Sequence, residues 1–161
     1  MHSVVDTNVL IVANGRDCPQ ASPECIVACV RQLRDIEQHG TLVLDDHWHI
    51  IGEYKHKVSQ TGQPGIGDAF LKWVLTNQSN PQRIEKVSIT PLGDDEFAEF
   101  PSTPALENFD RSDRKFVAVA LTHPQKPPIC NAVDSDWRNF HEALVQIGIT
   151  VEFLCSDVEQ R

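Results

Sequence analysis

Val4-Val5-Asp6-Thr7-Asn8-Val9-Leu10 is the stretch whose reading decides the fold. A short β-branched, apolar run ends on an acid, and two small polar residues follow. In an open α/β sheet, the carboxyl ends of the strands are where ligands and chemistry sit. A strand buried on both faces that ends in Asp6 must give that carboxylate a partner or a metal ion. Thr7 and Asn8 can orient it, and their amides offer a plainer use for it as a turn cap. Glu53, Asp113 and Asp134 recur in comparable places. Carboxylates gathered at one sheet edge repel each other unless a cation holds them.

Strand and helix alternate outward from this point. The spacing predicts a strand over 3–6, then turn formers from Asn14-Gly15-Arg16-Asp17 to Cys18-Pro19. Ser22 reads as an N-cap, with Pro23 at the first helical position and Glu24 in the first turn. Ile26, Val27, Val30, Leu33 and Ile36 keep helical period until Gly40. A second strand over 41–44 ends at Asp45-Asp46, and a helix runs from there through Glu53 towards Val58. The Gly/Gln/Pro loop over 59–67 is the expected mobile segment. Beyond it come a helix over 68–77, a strand over 84–90 and a short helix over 94–100. A helix over 113–123 capped by Ser112, a buried strand over 129–133, a helix over 136–147 and a strand over 150–154 complete the pattern. The alternation predicts one domain over 1–161, a three-layer α/β/α sandwich on a Rossmann-like, mainly parallel sheet.

The bulk properties narrow the function classes. At 161 residues the chain can bury a real core without disulfides. It contains no apolar run near the ~20 residues of a membrane span. Its first residues lack the basic patch and cleavage site of a secretion signal. Five cysteines form no CxxC pair, and their odd number argues against a closed disulfide framework, so a reducing cytosol is the expectation. Cys25 and Cys29, one helical turn apart, read as packing residues. With 23 acids against 14 Lys plus Arg, net charge −9, the chain is no nonspecific nucleic-acid coat. A nuclease survives that test, because a metal-binding cluster concentrates negative charge locally. Lys55, Lys57, Lys72, Arg83, Arg111, Arg114 and Lys115 are available for a basic rim, although surface charges are most often merely solvated.

Each acid has an ordinary alternative. Glu53 would pass for an exposed helix glutamate. His49 and His56 flank it at helical spacing, but the pattern is not H-E-x-x-H and lacks a fourth zinc ligand nearby. Asp113 at a helix start complements the helix dipole, worth ~0.3–1 kcal/mol, while Asp110 one turn earlier exceeds that need. Asp134 and Asp136 flank a serine, and a cap requires only one of them. Trp48, Trp73 and Trp137 are candidate base-stacking surfaces, although each is more often a core residue, Trp73 especially; Trp137, next to Asp136, is the best of the three as a site neighbour.

Taken together, these pieces resemble the PIN-domain family, metal-dependent ribonucleases with a Rossmann-like α/β/α fold. The matching segments are V-V-D-T-N-V-L, Glu53 after the second strand, D-R-K-F-V-A-V-A-L from Asp113, and A-V-D-S-D-W from Ala132 to Trp137. The resemblance implies catalytic metal-ligand roles for Asp6, Glu53, Asp113 and Asp134. Asp136 would be a supporting acid, and Asn8 would orient Asp6; Asp110, which doubles the acid count beside Asp113, is a further supporting candidate. Ala132 departs from the family pattern, which commonly has Thr or Ser there. Hard oxygen donors select Mg2+ or Mn2+, and the implied reaction is hydrolysis of single-stranded RNA to 5′-phosphate and 3′-hydroxyl ends. A toxin of a toxin–antitoxin pair, acting as a homodimer neutralised by an antitoxin-like protein, is one implied role. RNA processing is another. A catalytically inactive PIN-like RNA- or protein-binding domain is the alternative. A phosphatase fits less well, because Asn8 stands where its second aspartate belongs.

Overall fold

The computed structural model of the chain describes residues 1–16, 18–59 and 61–155. Asp17 and Gln60, in the expected turn and loop, lie outside the described residues. Strand β1 (His2–Val5) gives way at once to helix α1 (Thr7–Ala13), where the sequence reading places no helix. The β-branched residues of this segment are weak helix formers. They are held helical because Val9, Leu10, Val12 and Ala13 all bury against neighbours.

Helix α2 (Pro23–His39) matches its signals closely, and Ser22 Oγ accepts the amide of Cys25 at 3.1 Å. Next come β2 (Thr41–Asp45), α3 (His49–Lys57), α4 (Ile66–Thr76) and β3 (Ile84–Val87). The helix expected over 94–100 is instead a small antiparallel hairpin, β4 (Pro91–Gly93) with β5 (Glu96–Phe97). Its reversal uses positive φ at Gly93 (155°) and Asp95 (57°), which the run of acids disguised. One turn of 3-10 helix over Arg111–Asp113 leads into α5 (Arg114–Thr122). The expected Ser112 cap gives way to Asp110, whose carboxylate accepts the Ser112 amide at 2.9 Å.

After β6 (Ile129–Asn131), the helix expected over 136–147 breaks into α6 (Ser135–Asn139) and α7 (His141–Gln146). Phe140 at the break leaves helical geometry (φ −106°, ψ 12°) and sets its ring edge-on to Phe109. Strand β7 (Val151–Phe153) is the last element. The five-stranded sheet runs β3-β2-β1-β6-β7, all parallel. Helices cover it on both sides, so the α/β/α sandwich is as expected, and no helix among the described residues is long and apolar enough to cross a membrane.

Two helices approach each other unusually closely. A Cβ on Gly67 would lie 1.9 Å from the Leu10 carbonyl oxygen, so only glycine lets α4 rest on α1. The loop expected to be mobile is tied near both ends to buried Asp68, which accepts the amides of Ser59 and Gly65 at 2.8 Å each. At the opposite sheet edge, Glu85 accepts from His2 (2.6 Å) and His123 (2.7 Å). His123 Nδ1 itself accepts the Gln125 amide, so the neutral ring carries its proton on Nε2, facing Glu85. These contacts make a hydrogen-bonded clasp, since an Nε2 that holds a proton has no lone pair for an ion.

The cysteines require a correction. Cys25 on α2 and Cys155 after β7 are joined in a disulfide, while Cys18, Cys29 and Cys130 are free thiols. An odd count excludes complete pairing but not a single bond between residues 130 apart in sequence. Such bonds persist in oxidising compartments, so the cysteine count does not identify a reducing one. Under denaturing, non-reducing conditions three thiols should react with a thiol reagent, rising to five after reduction. Breaking the bond should cost about 2–5 kcal/mol, read as a lower unfolding midpoint. Five reactive thiols without reductant would refute the pairing.

Candidate acidic metal site

The sheet's connections run from β1 to β2 and β3 on one side, while β6 and β7 lie on the other. Strand β1 is therefore next to the topological switch, and the crevice beyond the ends of β1 and β6 is where an open α/β sheet takes its ligand. Asp6 is the first residue after β1, and Asp134 follows β6. Helix α5 packs against β1, β2 and β6, and its start carries Asp113 into the same crevice. Carboxylate oxygens of Asp6, Asp113 and Asp134 lie within 4.8 Å of one another. A second set, Asp110, Asp113 and Asp136, meets the same limit further out and shares Asp113.

The inner carboxylates are held from behind. Asp6 Oδ2 accepts from Trp137 Nε1 at 2.6 Å and from Asn8 Nδ2 at 2.8 Å. Asn8 is itself fixed, donating to Asn131 Oδ1 (3.0 Å) and accepting the Ala132 amide (2.8 Å). The hydroxyl missing at Ala132 thus leaves Asn8 no less firmly placed. Tyr54 donates its hydroxyl to the Val5 carbonyl at 2.5 Å, fixing the strand end just before Asp6. Asp134 caps α6 with one oxygen, accepting the Asp136 amide at 3.0 Å. Asp136 in turn accepts the Asp110 amide at 2.8 Å, which ties the outer acids to the inner ones.

Asp113 behaves differently from the chain's other buried aspartates. Asp45, at the end of β2, is saturated by the amides of His47, His49 and Ile50. Asp68 is saturated likewise by its loop. Asp113 is 4 % exposed, makes no cap hydrogen bond, and its Oδ2 has no partner among the described residues. An orphaned buried carboxylate oxygen costs free energy unless something absent from the chain satisfies it. Its surroundings hold the proton strongly: burial, then the Asp6 charge, a side-chain hydrogen bond shared with Asp134 and the Asp134 charge push Asp113 up to about 11. Burial, then the Asp134 charge, raises Asp6 to about 7 against the opposing Trp137 hydrogen bond. Burial also raises Asp136 above the usual carboxylate range.

Three hard-oxygen donors converging on one point, one of them unpaired, fit a small divalent cation such as Mg2+ or Mn2+. A buried cation would also relieve the mutual repulsion that protonation otherwise relieves.

The structure brings Glu53 beside this pocket without placing it in the converging set. One Glu53 oxygen takes the Lys115 ammonium at 2.8 Å, and the other accepts the Thr7 hydroxyl. Lys115, expected at the rim, is 4 % exposed and also donates to the Ser112 carbonyl. Arg83 packs near Gly40, before the strands begin, at the far edge from the acids. Trp137 is fully buried and serves Asp6 through its indole N–H, so it offers no face to a base. Trp73 stacks on Phe70. Trp48 alone of the three stays open, 41 % exposed, with Lys55 over its ring. His49 packs edge-on against Phe97, which removes one arm of the zinc pattern considered above. Asn131, Tyr54 and the Trp137 N–H escaped the sequence reading, because their roles depend on contacts far along the chain. Beside the outer acids, Phe100, Ser102, Thr103, Arg111 and Arg114 help line a groove of about 500 Å³.

Compared with models of known protein families, with curated proteins and with solved structures, the chain has no significant match.

Proposed function

We propose that the chain is a metal-dependent nuclease of PIN-like type, hydrolysing phosphodiester bonds of single-stranded RNA. The observation that carries the proposal is buried Asp113, which has an unpartnered oxygen and sets a carboxylate oxygen within 4.8 Å of those of Asp6 and Asp134. A divalent ion bound there supplies Lewis-acid polarisation of a phosphate oxygen and activation of a water. The chain's own part is to hold the donors. Trp137 and Asn8 keep Asp6 in one rotamer, and Asp134 is fixed by its cap to α6. A metal-activated water needs neither a histidine base nor a serine nucleophile, so the reading asks for none.

A single strand suits this edge better than a duplex, since a shallow acidic edge reads no duplex groove. The groove beside Arg111 and Arg114 gives the strand a path, and Trp48 offers a stacking surface. Arg111 is paired with Glu96 at 3.3 Å, so it meets a phosphate only by exchanging partners. A toxin-like homodimer with an antitoxin-like partner at the acidic crevice remains part of the proposal, alongside an RNA-processing role.

The test is cleavage of a mixed, unstructured RNA by purified protein with Mg2+ or Mn2+. Cutting that EDTA abolishes and Asp6→Asn removes by ~100-fold or more supports the reading, since several kcal/mol of charge stabilisation are lost. Folded protein that binds Mn2+ yet cuts no RNA would be a binding domain.

A further inference from the structure

We infer that Lys115 is the built-in cation of the Glu53 side of this site, so that Glu53 positions Lys115 instead of ligating a metal. The inference rests on the metal-site reading above and changes its donor set.

Lys115 and Glu53 meet from two helices, Nζ to Oε1 at 2.8 Å, 62 residues apart in sequence. The lysine side chain is 6 % exposed and the glutamate 20 %. Lys115 is anchored a second time by the Ser112 carbonyl, one helical turn away and next to Asp113. The second Glu53 oxygen is occupied by Thr7, which directly follows Asp6. Both oxygens of Glu53 are therefore engaged before any ion arrives. To ligate, Glu53 would have to release a buried ammonium and leave it without its counter-charge, a loss a well-made carboxylate site need not incur.

Position and charge make the arrangement functional as well as structural. The pair bridges the segments that carry Asp6 and Asp113, since Thr7 adjoins the first and Ser112 the second. A fixed monovalent cation there does on one side what an ion does on the other: it lowers the repulsion among neighbouring carboxylates. Lys115 is thus a positioning residue, and the metal is held by aspartates alone.

Mn2+ binding to the metal-free protein, counted by electron paramagnetic resonance, tests this with Glu53→Gln, Lys115→Met and the double variant. Circular dichroism establishes that each is folded. Wild type, Glu53→Gln and the double variant are expected to bind the same number of ions, with affinities within about threefold. Lys115→Met, which frees a carboxylate, is expected to bind Mn2+ at least tenfold tighter or to take one ion more. Loss of an ion, or a hundredfold weaker affinity, in Glu53→Gln would overturn the inference while leaving the metal site standing. An unchanged Lys115→Met, folded, would also overturn it. If that variant does not fold, Glu53→Gln and the double variant decide. Wild type that binds no Mn2+ would instead overturn the metal reading itself, and this inference with it.

Discussion

Asp113→Asn should abolish the proposed nuclease activity while making the metal-free fold more stable. The reason lies in the contrast among buried aspartates. Asp45 and Asp68 are surrounded by donors, so neutralising either would break several hydrogen bonds. Asp113 has a buried oxygen with no donor, and its carboxylate lies within 4.8 Å of those of Asp6 and Asp134. An amide at this position spares the fold the proton that Asp113 takes up on burial, and brings an N–H2 that can donate to a neighbouring carboxylate. Relief of one unsatisfied buried group is worth about 1–3 kcal/mol. In a domain of this size that is a rise of roughly 2–10 °C in the unfolding midpoint in EDTA. The same change takes a donor from the metal, and activity should fall by ~100-fold or more. Mn2+ should raise the wild-type midpoint by mass action and leave the variant's nearly unmoved. Thermal melts with and without Mn2+, beside an RNA cleavage assay, decide it. A variant less stable than wild type in EDTA would show that Asp113 is a structural acid like Asp45.

What could be read in the sequence was local. Ser22, Pro23 and Gly40 delimit α2 because capping chemistry acts within a few residues. Asp6, Asp113 and Asp134 were readable as a set because each follows a strand or opens a helix, and parallel topology sends those ends to one edge. What was not readable depends on partners distant in sequence. Nothing local distinguishes the Glu53 that meets Lys115 from a solvated helix glutamate. Trp137 reads as a neighbour of the site, but its indole N–H bond to Asp6, 131 residues away, depends on how α6 turns it inward. The hairpin at 91–97 and the break at Phe140 override helical spacing through positive φ at Asp95 and aromatic packing on Phe109. The disulfide joins two cysteines that local spacing cannot pair.

Without metal, the fold should lose stability as pH rises from about 4 to about 7, and continue losing it above. Asp6 holds its proton to about 7 in the fold, against the ordinary ~3.9 of an exposed aspartate in the unfolded chain. Between those values the folded state binds more protons than the unfolded one, so stability falls with rising pH. Asp113 acts in the same direction, and because its proton is held to about 11 its contribution extends through the alkaline range. Each pH unit of such a difference is about 1.4 kcal/mol per group, so the total decline to neutral pH is of the order of several kcal/mol. Carboxylates of the opposite kind limit the acid side. Hydrogen bonds from His123 and His2 lower Glu85, and those from Ser88 and His47 lower Asp46. These give up their stabilisation as pH falls through their depressed values. The midpoint in EDTA should therefore peak near pH 4–5 and fall towards pH 8. A divalent ion takes the place of the protons, so its binding should release protons and strengthen with pH, up to about tenfold per unit for each proton displaced. Saturating Mn2+ should then flatten the decline, and Asp113→Asn should flatten it without any metal. Melts from pH 4 to 9 in EDTA and in Mn2+ provide the measurement, and a midpoint in EDTA that rises from pH 5 to 8 would refute the crowded-carboxylate site.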